Sequence, residues 1–193
     1  MRHLVFPPLS PHPTYPQLKI CGMRAPQNIQ DVAATQPTLM GFIFTSHSPR
    51  YVDTAETAEI VRILPPNIRK IGVFVNQATP TMLKTAQTFR LDGLQLHGDE
   101  PPEQLHEIRQ QEPHLVLIKA FGIHPTFTFP TLHAYAPLCD LFLFDTHSKD
   151  YGGTGRTFDW NLLQNVTTQV PFLLAGGLDA TQLQHIRAHL DKA

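Results

Sequence analysis

The sequence predicts an α/β chain built as a β/α (TIM) barrel, and three observations predict it. Seven short apolar runs, rich in Ile, Val, Leu and Phe, recur at intervals of roughly 20–25 residues, with helix-patterned segments between most of them. Residues able to do chemistry stand at the C-terminal ends of several runs, where a parallel α/β fold keeps its active site. No glycine fingerprint of the dinucleotide-binding type follows the first run, and no Gly-x-x-x-x-Gly-Lys-Ser/Thr loop occurs. Both absences favour a barrel over a doubly wound sheet.

The expected strands are 18–21, 39–44, 70–75, 93–96, 115–120, 141–144 and 172–175. Near-continuous apolar runs of this length suit strands buried on both faces. The clearest helices are 28–34, 54–64, 80–89, 102–111 and 181–190. Asp53 and Asp179 suit N-caps or first turns. Pro80 and Pro102 suit helix starts, where a missing N–H costs nothing. Residues 1–17 read as an extended, proline-rich arm, since five prolines crowd positions 1–16. The barrel domain is expected over 18–193.

Composition narrows the function. The chain has 193 residues, enough for one domain with a sizeable core. At 41% hydrophobic and 16% charged it is a globular composition. A net charge of -1 gives no electrostatic reason to expect a nucleic-acid partner. No run approaches the ~20 apolar residues of a membrane span, and Pro7-Pro8 break the short apolar start, so neither a membrane partner nor a signal peptide is expected. Two cysteines are too few for a disulfide framework and fit a reducing, cytoplasmic setting. Eleven histidines show no zinc-ligand spacing; His185 and His189, four apart, read as a solvated helix face. No metal site is expected.

Four features stand at strand ends. Cys21 closes the first run and Gly22 turns out of it. A thiol ionises close enough to neutrality, at about 8.5 when unperturbed, to serve as a base. Taken alone, a buried structural cysteine is the commoner case. Arg50, in the loop after the second strand, is of the type that grips a carboxylate through both guanidinium nitrogens. Asp145 ends the strongly apolar run Leu141-Phe142-Leu143-Phe144, and desolvation favours the uncharged carboxyl, the form that donates a proton. Gly176-Gly177 follow the seventh run, where barrels commonly bind phosphate on backbone N–H groups. Gln95 and His97 bring polar groups to the same mouth, and the glycine-rich loop holding Gly153 and Gly155 is placed to close over a substrate.

In order, Lys-Ile-Cys-Gly-Met, Gly-Phe-Ile-Phe with Ser-Pro-Arg-Tyr, Gly-Val-Phe-Val-Asn, Leu-Gln-Leu-His-Gly, Phe-Asp-Thr, Tyr-Gly-Gly-Thr-Gly with Thr-Phe-Asp-Trp, and Ala-Gly-Gly-Leu cover residues 18–190. This ordered set resembles the phosphoribosylanthranilate isomerases of tryptophan biosynthesis. The resemblance implies a (βα)8 barrel and an Amadori rearrangement of a phosphosugar substrate, without a cofactor. It implies Cys21 as general base, Asp145 as general acid and Arg50 as the ligand of the anthranilate carboxylate. Gly176 and Gly177 correspond to half of the phosphate site; Gln95, His97, Gly153 and Gly155 are expected to contact substrate. A monomer or homodimer is expected.

Two departures stand out. The N-terminal arm is longer than is typical of the family. The eighth βα unit, which supplies the other half of the phosphate site, has no counterpart among the seven units visible. An open sheet between the first and seventh strands is therefore expected, and residue 193 is not expected to be the functional end. The alternative reading is a catalytically inert barrel fragment that acts as an interaction module.

Overall fold

Each of the seven apolar runs forms a strand in the computed structural model, which describes residues 17–52, 55–147 and 159–179. The strands are β1 (Lys19–Cys21), β2 (Leu39–Ile43), β3 (Arg69–Phe74), β4 (Gly93–Leu96), β5 (Val116–Ile123), β6 (Leu141–Thr146) and β7 (Phe172–Leu174). They make one sheet in chain order, every neighbouring pair parallel. Among the described residues no ladder joins β7 back to β1, as the open-sheet expectation requires. Strands β2 and β4 are buried throughout, whereas β1 and β7, the two ends of the sheet, are half-buried.

The helices are α1 (Pro26–Ala34), α2 (Ala55–Arg62), α3 (Thr79–Phe89), α4 (Pro102–Gln111) and α5 (Leu132–Tyr135). Prolines open α1, α3 and α4 within their first two positions. Short 3-10 turns at Phe129–Thr131 and Trp160–Asn165 stand where the sequence pattern showed no helix. The arm, Asp53, the loop with Gly153 and Gly155, and the expected helix 181–190 lie outside the described residues.

Strand alternation gives the sheet two unlike faces. The outer face packs under the helices through Phe42, Phe74, Phe142 and Phe144, all essentially inaccessible to water. Each such ring contributes about 1.5–3 kcal/mol by burial. The inner face gathers smaller residues: Leu39, Ile71, Val116, Ile118, Ala120, Leu141 and Leu143, with Leu173 and Ala175 against them. Small aliphatic side chains let the sheet curl around its own inner face, the geometry of a barrel wall.

One charged pair breaks the apolar outer layer. Lys119 on β5 and Glu100 before α4 are 2% and 1% exposed, with Nζ 3.2 Å from Oε2. Lys119 also donates to the Leu96 and Gly98 carbonyls. Glu100 accepts from the Asn76 and Gly98 amides. Burial lowers the Lys119 pKa although the Glu100 charge opposes that shift. The pair ties the turn after β4 to the back of β5.

Candidate active site

Cys21, His97 and Asp145 continue the inner-face alternation to the C-terminal ends of β1, β4 and β6. The described part of the site gathers into two clusters.

The first lies at β1 and β2. Gly41 sits opposite Cys21 in the ladder. A Cβ on Gly41 would fall 2.6 Å from Cys21 Sγ and 2.8 Å from Lys19 Nζ, so both side chains reach into the space that glycine leaves. Cys21 is half-buried and a free thiol. The chain then turns at Gly22 with φ +93°, a conformation other residues rarely adopt. The Arg50 side chain lies over that turn, its Cδ and Nη1 each 2.7 Å from where a Gly22 Cβ would stand. The Arg50 amide is held by Ser48 Oγ at 3.2 Å, and Arg24 Nη1 donates to the Pro49 carbonyl at 3.2 Å. Arg50 is exposed and stands beside the thiol-bearing corner.

The second cluster lies at β4, β6 and β7. Asp145 Oδ1 accepts from the Thr146 amide at 2.7 Å. Asp145 Oδ2 is 3.5 Å from His97 Nε2, with the two side chains 13% and 17% exposed. One strand, β5, separates β4 from β6, so this approach needs the sheet's curl and the small Ala120 and Gly122 of that strand. Gln95 Nε2 is 2.7 Å from the other ring nitrogen, His97 Nδ1. Gly176, at φ +88°, presses against Thr146 Oγ1, and its absent Cβ would fall 3.0 Å from Asp145 Oδ1. Gly177 follows at φ +60°.

The structure thus places Cys21 and Arg50 together, and Gln95, His97, Asp145 and Gly176 together. Lys19 was missed from sequence, although its i, i+2 spacing from Cys21 puts the two on one strand face. Among the described residues no group of three His, Cys, Asp or Glu side chains is disposed to hold a metal. No described helix is long and apolar enough to cross a membrane.

The family model for N-(5'phosphoribosyl)anthranilate (PRA) isomerase matches residues 18–190. A relative of that name from Parabacteroides distasonis is 43% identical over 173 residues, covering 88% of this chain and 76% of its own length. One from Thermosynechococcus vestitus is 39% identical over 162 residues, covering 83% and 70%. The solved phosphoribosyl anthranilate isomerase of Thermotoga maritima superposes with a TM-score of 0.73 at 30% identity, covering 90% of this chain and 81% of that one. That of Thermus thermophilus shares the fold with a TM-score of 0.78 at 24% identity, covering 90% and 82%. The chain belongs to the N-(5'phosphoribosyl)anthranilate isomerase family.

Proposed function

We infer that this chain catalyses the Amadori rearrangement of N-(5'-phosphoribosyl)anthranilate to 1-(2-carboxyphenylamino)-1-deoxyribulose 5-phosphate. The observation that carries the reading is that Cys21 ends β1 and the Arg50 side chain lies over the Gly22 turn that follows it, on one rim of the curled sheet. Asp145 stands at the end of a second inner-facing strand. A phosphoribosyl anthranilate isomerase of the same fold has been solved in complex with reduced 1-(o-carboxyphenylamino)-1-deoxyribulose 5-phosphate, at a TM-score of 0.70 and 27% identity. Family membership favours this enzyme over an inert interaction module.

The chemistry follows from those groups. Asp145 gives its proton to the furanose ring oxygen; the C1–O bond breaks and a Schiff base forms. The imine acidifies the neighbouring C2 proton, which the Cys21 thiolate removes. The resulting enolamine takes a proton at C1 and becomes the ketone, so one hydrogen moves and no electrons are lost. Arg50 grips the anthranilate carboxylate with charge-assisted hydrogen bonds. The Gly176-Gly177 backbone receives the phosphate at the other end. Two anion sites then hold the substrate across base and acid. Gly153 and Gly155 belong to the loop proposed to cover it. Two free thiols suit a reducing compartment, and the cytoplasm is the proposed location.

Loss of phosphoribosylanthranilate fluorescence on adding purified protein tests the activity. Cys21→Ala and Asp145→Asn should each lower kcat by at least ~10²-fold, the scale of a positioned acid or base. A wild-type protein that folds and leaves the fluorescence unchanged refutes the assignment.

A further inference from the structure

Gln95 is 2% exposed, and its Oε1 has no hydrogen-bond partner among the described residues. A buried amide oxygen left unpaired costs on the order of 1–3 kcal/mol. Its own Nε2 is engaged, 2.7 Å from His97 Nδ1. The far side of that imidazole faces Asp145 Oδ2 at 3.5 Å. Three polar side chains therefore run in line from the barrel interior to the acid, and the line begins with an idle acceptor.

The tautomer of His97 depends on both neighbours. A carboxylate at Oδ2 only accepts, so it calls for the proton on Nε2. Nδ1 is then an acceptor and takes the Gln95 N–H, the arrangement in which Oε1 stays idle. A protonated Asp145 carries its hydrogen on Oδ2, because Oδ1 already accepts from the Thr146 amide. That O–H can be given to Nε2; Nδ1 then carries the ring proton and needs an acceptor. Half a turn of the Gln95 amide supplies Oε1 as that acceptor. The two arrangements differ in which ring nitrogen bears the proton and in the charge on Asp145.

We propose that Gln95 and His97 are positioning residues for Asp145. The Gln95 N–H keeps His97 Nδ1 an acceptor, so the ring proton stays on Nε2, and that N–H supports Asp145 Oδ2 before and after the carboxyl gives its own proton to substrate. The proposal rests on Asp145 being the acid, and it replaces the expectation that Gln95 and His97 contact substrate. The 3.5 Å separation is of the kind that shortens once substrate fills a site.

The test compares wild type with Gln95→Met, which keeps the volume and removes the amide, and His97→Gln, whose amide can still donate toward Oδ2. Gln95→Met should lower kcat about tenfold, the low end of what a misplaced acid loses, with KM unchanged. His97→Gln should retain more activity than His97→Leu. Nitrogen-15 spectra of the imidazoles, with the His97 signal identified by its loss in His97→Gln, supply a readout without substrate. Wild type should show one neutral tautomer and Gln95→Met a mixture of two. An inactive wild type would overturn the enzyme assignment, while the spectra still decide the tautomer relation. An active wild type whose Gln95→Met variant raises KM alone, with the His97 tautomer unmoved, would overturn the proposal and return both residues to substrate contact.

Discussion

Replacing Lys119 by Met should be among the most damaging single changes in this chain, because Lys119 is buried and paired with Glu100. Its side chain is 3% exposed and that of its partner Glu100 0%. The ammonium holds Glu100 Oε2 at 3.2 Å, the Gly98 carbonyl at 2.7 Å and the Leu96 carbonyl at 3.3 Å. It also lies 5.5 Å from the Phe121 ring centre. Met fills the space but leaves the Glu100 carboxylate buried without a counter-charge, a loss of about 3–5 kcal/mol. Against a total of roughly 5–15 kcal/mol this removes much of the native margin. The thermal midpoint should fall by roughly 6–20 °C for a domain of this size. Adding Glu100→Gln removes the stranded charge yet leaves an amide oxygen for the Asn76 and Gly98 N–H groups. The double variant should therefore be more stable than Lys119→Met alone. Urea unfolding of the four proteins in a double-mutant cycle measures the coupling. A loss below about 1 kcal/mol for Lys119→Met, as for an exposed pair, or no recovery in the double variant, would refute the reasoning.

Arg50→Ala should weaken substrate binding by roughly 1.5–3 kcal/mol, the scale of a hydrogen bond to a charged group, and act mainly on KM. An analogue lacking the carboxylate should bind wild type and variant alike, and binding titrations that still separate the two proteins would move the role elsewhere. Burial, helped by the Asp140 charge, pushes the Cys139 thiol from 9.0 up to about 12. Between these values the unfolded chain has lost the thiol proton and the native state keeps it, so stability falls as pH rises. The slope is about 1.4 kcal/mol per pH unit once the unfolded thiol is ionised. Cys139→Ala should remove this share of the alkaline loss; unfolding curves at pH 8 and 10.5 with the same difference in both proteins would contradict it.

Apolar runs located every strand in the sequence, and β4 and α4 have the bounds expected of them. Strand β5 runs three residues past its expected end at Ala120. Gly122 stands in that extension, in the ladder opposite Asp145. Helix α5 left no periodic signal, since its four residues make little more than one turn. Cys21 and Asp145 were legible because strand alternation fixes which face each occupies. The Gln95–His97–Asp145 line was not, because it depends on how tightly the sheet curls between β4 and β6. The Lys119–Glu100 pair left one signal: a lysine inside a strand buried on both faces needs a partner. Nothing in the spacing shows that the partner precedes α4.

The strand order also bears on how the molecule assembles. Because spatial order follows chain order, every strand pairs with the one made just before or after it. Among the described residues no ladder waits for a distant segment, so loop-closure entropy stays small and near-constant from one unit to the next. The longest ladder, from Ile118 opposite Leu141 to Ile123 opposite Thr146, joins strands linked by a single short helical segment. Such local topology favours rapid folding. A nascent chain leaving the ribosome finds each new strand's partner already in place, and the sheet grows by one strand at a time.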